Sequence, residues 1–110
     1  MIDEMAEYVQ IETTFETEDD AKEMIQVLLS KSLIACAQWC EIKSAYNWKG
    51  KQHEKVEFLL KVKTQEVLYK DCEKVIRQHH KYDLPQITRT AYNGSEDYNK
   101  WVDDSVRKAT

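Results

Sequence analysis

The chain has 110 residues, 42% of them hydrophobic and 33% charged, with a formal net charge of −4. This balance fits one soluble domain built on one core, and it excludes a disordered segment and a membrane-spanning chain. The acidic excess also excludes a general binder of nucleic acid or of anionic membranes.

Taken in chain order, Met1-Ile2-Asp3-Glu4-Met5-Ala6-Glu7 is acidic and lacks an apolar run, so a loose end is expected there, with no signal peptide. Tyr8 to Phe15 alternates, with Val9, Ile11, Thr13 and Phe15 on one face, as in a half-buried strand. Thr17 is placed to cap a helix whose first turn holds Glu18, Asp19 and Asp20, where the helix dipole favours negative charge. Ala21, Met24, Ile25, Leu28 and Leu29 form its apolar stripe.

The stretch Leu33 to Thr64 reads as one long β-hairpin. Its outgoing arm runs from Leu33 to about Asn47 and puts Ile34, Cys36, Cys40, Ile42, Tyr46 and Trp48 on one side. Its return arm runs from about Gln52 to Lys63, with Val56, Phe58, Leu60 and Val62 facing one way and Glu57, Lys61 and Lys63 the other. Gly50 in the Trp48-Lys49-Gly50-Lys51 turn can take the positive φ that closes a short loop. An arm of roughly 14 residues spans on the order of 46 Å. A compact chain of this length is only roughly 34 Å across. The tip must therefore project, and two open backbone edges beside Tyr46 and Trp48 invite pairing with a sister chain. A bulge between Glu41 and Ser44 is the alternative.

Thr64 or Gln65 is expected to open a second helix with the stripe Leu68, Cys72, Val75, Ile76 and His79, ending before Pro85. Ile87 to Tyr92 is a short strand and Asn93-Gly94 a turn. Ser95 caps a last helix with the stripe Tyr98, Trp101, Val102 and Val106, and Arg107 and Lys108 in its last turn. The order β-α-β-β-α-β-α predicts an α+β, ferredoxin-like sandwich with a long hairpin and an extra C-terminal helix. With one proline and two glycines there is no linker, so residues 1–110 form one domain. The last helix or a second subunit must cover the sheet face that the first two helices leave open.

Three cysteines without paired short spacing indicate reduced thiols in the cytoplasm. Cys36 and Cys40 lie roughly 13 Å apart on a strand, too far to share a metal ion. They and Cys72 read as buried small hydrophobes, with no pattern that makes any of them a nucleophile. His79 and His80 end a helix; adjacent helical side chains diverge, yet a fraying last turn lets both imidazoles approach copper, zinc or nickel. The bland alternative is a dipole partner at His80 and a partly packed His79. His53 reads as solvated. Glu57 and Lys63 share a face and suit surface pairing across strands. Tyr46 and Trp48 suit an interface better than a ligand-stacking role.

Ser44-Ala45-Tyr46-Asn47-Trp48-Lys49-Gly50-Lys51, then Glu57, then Lys63-Thr64, resembles the signature of the CutA divalent-cation-tolerance family. His80-Lys81-Tyr82-Asp83-Leu84-Pro85-Gln86 is similar to that family's His-Pro-Tyr-Glu-x-Pro-Glu segment, and Leu33-Ile34-Ala35-Cys36 to its Leu-Ala-Ala-Cys strand start. Tyr98 and Trp101 resemble the aromatics of its last helix. The resemblance runs from about Val9 to Val106. It implies a homotrimer with interlocking hairpins, no enzymatic activity, a role in tolerance of divalent metals, and copper binding in some members. It also implies an inter-subunit cleft that carries Trp48, Glu57, Lys63, His80 and Tyr82. Thr13 stands where some bacterial members have a copper-binding cysteine, Lys81 replaces the motif proline, Asp83 its first glutamate and Gln86 its second. A weak imidazole site at His79 and His80 is what the resemblance then implies. The alternative is a trimeric sensor, similar in architecture to PII-like signalling proteins, in which Lys63 and His80 hold a small anion and Trp48 or Tyr82 stacks on it. An RNA-binding module is excluded, because the return arm lacks exposed stacking aromatics and basic partners. An unidentified partner protein remains open under either reading.

Overall fold

A computed structural model describes residues 7–109. Of the expected loose acidic end, residues 1–7, residues 1–6 lie outside them, and the Glu7 carbonyl accepts from the Glu66 backbone N–H at 2.8 Å. The elements are β1 (Tyr8–Phe15), α1 (Glu18–Ser30), β2 (Cys36–Trp48), β3 (Lys51–Gln65), α2 (Tyr69–His79), β4 (Thr88–Tyr92) and α3 (Glu96–Ser105). They form one antiparallel four-stranded sheet in the order β2-β3-β1-β4. This is the α+β, ferredoxin-like arrangement expected from the order of elements.

The sequence reading holds for the β1 strand, the Thr17 cap and most of the α1 stripe, but Leu29 of that stripe is exposed and Thr14, on the expected polar face of β1, is buried. The Thr17 side chain accepts from the backbone N–H of Asp20 at 3.1 Å. Ala21, Met24, Ile25 and Leu28 are buried against Val9, Ile11, Leu60 and Val62 of the sheet. Each large side chain so buried contributes about 1.5–3 kcal/mol.

The hairpin departs from expectation at its ends. Leu33 and Ile34 are buried core residues in the link after α1, and β2 begins only at Cys36. Pairing then runs unbroken from Cys36↔Lys63 to Trp48↔Lys51, so the arm carries no bulge. Lys49 and Gly50 alone close it, with φ of 51° and 78°. Positive φ at both central residues gives a turn whose twist matches the strands. Beyond Phe15↔Phe58, β3 has no neighbour but β2, so the ribbon extends past the sheet. The long axis of the molecule is 44 Å, against 29 and 24 Å for the other two.

The second helix opens later than expected. Thr64 and Gln65 stay in β3, paired with Val9 and Tyr8, and the Thr64 hydroxyl donates to the buried Leu33 carbonyl at 2.6 Å. A short 3₁₀ turn, Glu66–Leu68, then leads into α2. Strand pairing with β1 outweighs the local helical pattern here. Likewise Arg107 and Lys108 lie beyond α3. The Arg107 backbone N–H donates to the Ser32 carbonyl at 2.8 Å, and its guanidinium reaches Asp71 at 3.4 Å, which draws the chain off the helix axis. Only Val102 of α3 is buried, and Trp101 is exposed.

The face of the sheet opposite α1 and α2 is partly covered by α3. The Tyr8 hydroxyl donates to Asp103 at 2.9 Å, and the Gln65 amide donates to the same carboxylate at 2.8 Å. At the base of the ribbon the link after α2 covers Thr14 and Glu57 on that face, and farther out Tyr46 and Trp48 are exposed.

Candidate functional site

The projecting ribbon and the segment after α2 enclose a hollow of about 880 Å³. The period-two alternation of β2 and β3 aims Ser44, Tyr46 and Trp48 from one strand, and Lys55 and Glu57 from the other, to the same face. Residues 82–86 close the opposite wall, with Leu84 and Pro85 as its apolar part.

Glu57 is the buried charge of this hollow, only 6% exposed. The Tyr82 hydroxyl donates to its Oε2 at 2.7 Å, and Lys55 Nζ lies 3.9 Å from the same oxygen. Burial pushes the Glu57 carboxyl up, but the hydroxyls of Ser44 and Tyr82, the Lys55 charge and the Thr14 hydroxyl together hold it below its ordinary range. Glu57 is therefore ionised at neutral pH. Burial first, then the Glu57 carboxylate, raises the Tyr82 phenol to about 12 against the opposing pull of Lys55. Lys55 Nζ sits 4.4 Å above the Tyr82 ring and 5.8 Å from that of Tyr46. Contact with the Tyr82 hydroxyl keeps Lys55 protonated to higher pH than usual, over the opposing effect of burial.

His80 sets the position of Tyr82. Its Nε2 faces the Thr14 carbonyl at 2.8 Å and the Thr13 hydroxyl at 3.1 Å, while its Nδ1 accepts from the Tyr82 backbone N–H at 3.1 Å. That pattern requires Nε2 to carry the proton. The ring stacks on Phe15, centroids 4.6 Å apart. Burial lowers its pKa, against the opposing effects of the Thr14 carbonyl, Asp20 and Glu57. His80 is thus a packed, neutral ring.

The structure places the sequence-derived candidates unequally. Trp48, Glu57 and Tyr82 line one hollow, and His80 stands directly behind Tyr82. Lys63 does not join them within one chain: its Nζ donates to Gln38 at 2.8 Å and lies 6.0 Å from the Tyr98 ring, toward α3. The expected surface pairing of Glu57 with Lys63 is replaced by a buried Glu57 beside Lys55. His79 and His80 diverge. His79 is exposed and lines a second hollow between α1 and α2 with Asp19, Asp20 and Glu23, whereas both nitrogens of His80 are engaged. The packed histidine is therefore His80 and the exposed one His79, the reverse of the bland reading. Among the described residues no group of three or more His, Cys, Asp or Glu side chains is placed to hold a metal ion. His53 stacks on Tyr46 at the ribbon surface, 5.4 Å between centroids. Cys72 is buried as expected, its thiol pushed up to about 12 by burial, but Cys36 is half-buried and Cys40 exposed on the outer strand.

Sequence reasoning missed Lys55 and Thr14, and Ser44, though it opens the family-like run, had no role assigned. Lys55 stands two residues before Glu57 on the same strand face, and that spacing was the available signal.

Residues 9–105 match the family model described as CutA1 divalent ion tolerance protein. The divalent-cation tolerance protein CutA of Pyrococcus horikoshii is 36% identical over 97 residues, which span 87% of this chain and 95% of that one. The protein of the same description from Thermotoga maritima is 35% identical over 99 residues, 89% of this chain and 98% of its own. The crystal structure of CutA1 from Pyrococcus horikoshii superposes with a TM-score of 0.88 at 34% identity, covering 91% of this chain and 99% of that one. The structure described as the periplasmic divalent cation tolerance protein CutA from Archaeoglobus fulgidus gives 0.89 at 28% identity, with 91% and 99% coverage. An Arabidopsis thaliana relative is described as chloroplastic, so similar chains occupy more than one compartment. No helix among the described residues is long and apolar enough to cross a membrane.

Proposed function

The chain belongs to the CutA1 divalent ion tolerance family, and from that premise we propose that it is a homotrimeric, non-enzymatic protein of the divalent-cation response. One observation carries the assembly: the ribbon stands beyond its own sheet with Tyr46, Trp48 and Val56 exposed and both edges unpaired past Phe58. Such a surface is a ready template for pairing with another chain. Interlocked ribbons from three copies supply that pairing, and they close the hollow at Glu57 into an inter-subunit cleft in which the Lys63 of another copy can approach Trp48 and Tyr82. Sedimentation velocity at micromolar concentration tests this. Three chain masses are expected, and a folded single chain overturns it.

The metal is the cargo of this role, copper being the representative ion, held weakly. His79 offers an exposed imidazole on the hollow that Asp19 and Glu23 also line, while Asp20 there is tied to Lys81 at 2.6 Å. His80 joins only by giving up its bond to the Thr14 carbonyl or to the Tyr82 N–H, which keeps affinity modest. Copper(II) titration of the wild type against His79→Ala/His80→Ala is the test, and equal uptake by both removes the site. The half-buried and exposed thiols of Cys36 and Cys40 fit a reducing cytoplasm. Burial pushes the Cys72 thiol up to about 12, so it serves as a core residue and not as a nucleophile.

A second reading is a sensor of a small anion in the same cleft; within one chain Lys63 is turned to Gln38 and both nitrogens of His80 are engaged, so Lys55, 3.9 Å from Glu57 and 4.4 Å above the Tyr82 ring, replaces them as the cation.

A further inference from the structure

We propose that the hollow at the base of the ribbon binds a monocarboxylate with a flat apolar body, its carboxylate on Lys55 and its body between Trp48 and Pro85. This rests on the anion-sensor reading and names the class of anion. The hollow holds two cations, Lys43 and Lys55, and two carboxylates, Glu57 and Asp83.

Glu57 is not available to a ligand. It is almost fully buried and already takes the Tyr82 hydroxyl at 2.7 Å, with Ser44 and Thr14 hydroxyls beside it. Its charge serves to hold Lys55, not to attract an incoming ammonium. Lys55 is the reverse case. Its Nζ is 3.9 Å from Glu57, beyond hydrogen-bond length, and rests over two aromatic faces, an arrangement that fixes the ammonium while leaving N–H donors for a guest. It is two-thirds buried, so an anion meeting it is partly screened from water and the contact gains strength.

Within one chain Lys43 and Lys55 are offset by Glu57 and Asp83, so the hollow carries no net charge, and a singly charged guest held by the Lys55 N–H donors disturbs that balance less than a diphosphate or triphosphate does. Trp48, Ala45, Leu84 and Pro85 supply apolar wall. A pocket of about 880 Å³ with one fixed cation and aromatic sides suits a planar acid of one or two rings.

The test is calorimetric titration of the assembled protein with 2-naphthoate, ATP, inorganic phosphate and 2-naphthylmethylammonium in parallel. Saturable binding of 2-naphthoate is expected, about tenfold weaker in Lys55→Met, the scale of one lost charge-assisted contact, and unchanged in Lys43→Met. Circular dichroism and sedimentation of each variant separate lost binding from lost folding or assembly. Binding of ATP or phosphate through Lys55, with 2-naphthoate silent, overturns the monocarboxylate and leaves the anion sensor standing. Binding of the ammonium alone, or of none of the probes, overturns both. Undiminished 2-naphthoate binding in Lys55→Met also overturns the inference.

Discussion

The Tyr82 hydroxyl donates to Glu57 Oε2 at 2.7 Å and so ties the segment after α2 to the base of the ribbon. The two residues are joined through a register of strands and a packed histidine rather than through local sequence. β1 ends at Phe15 opposite Phe58, which leaves Glu57 one residue past the paired edge, open to a side chain arriving from the α2–β4 link. His80, clamped between the Thr14 carbonyl and the Tyr82 N–H, delivers that side chain.

Tyr82→Phe removes the donor and keeps the ring. A buried carboxylate then loses one partner while Ser44, Thr14 and Lys55 remain. The expected cost is about 1–3 kcal/mol, read as a lower urea midpoint with an unchanged slope. A midpoint equal to that of the wild type would show that the bond adds nothing to stability.

Glu57 makes stability pH-dependent in the acid range. Its folded pKa lies below the ordinary 4.5, so the folded state binds fewer protons than the unfolded one. The contribution is fully present above the ordinary value and is lost as pH falls through the folded one. Glu57→Gln should therefore lose less stability than the wild type between pH 6 and pH 3, about the span over which the carboxylate protonates. Urea midpoints at several pH values measure the difference, and parallel curves would refute it.

The turn at the ribbon tip is a backbone question. A Cβ on Gly50 would touch nothing within 4 Å, but its φ of +78° disfavours any other side chain. Gly50→Ala should cost about 1–2 kcal/mol through backbone strain alone. Lys49 already bears such strain at φ 51°, so Lys49→Asn should raise stability by up to about 1 kcal/mol. Thermal midpoints moving in opposite directions are the expected result.

Thr64→Val keeps the shape of the side chain and deletes its donation to the buried Leu33 carbonyl at 2.6 Å. The remaining donor there is the Cys72 thiol at 3.6 Å, a weak substitute. A loss of about 1–3 kcal/mol is expected, with Thr64→Ser, which preserves the hydroxyl, losing less by denaturant titration.

The elements rich in periodic signal were legible from the residues. β1, the Thr17 and Ser95 caps, the Gly50 turn and the length of the hairpin all follow from alternation, capping chemistry and rise per residue. The misread boundaries are those where a partner distant in sequence decides. Thr64 and Gln65 look helical until β1 pairs with them, and Arg107 looks helical until Ser32 and Asp71 draw it away.

The candidate site divides along the same line. Trp48, Glu57, His80 and Tyr82 could be singled out from motifs, but not their partners. The sequence by itself determined the order of elements and a ribbon too long for its own globule, because alternation, caps and turns act over a few residues. Only the tertiary structure decided that Glu57 is buried beside Lys55 instead of paired with Lys63, and that both nitrogens of His80 face backbone. Those outcomes depend on where β1 stops against β3 and on how the link after α2 crosses that end, and they bring together atoms from segments tens of residues apart.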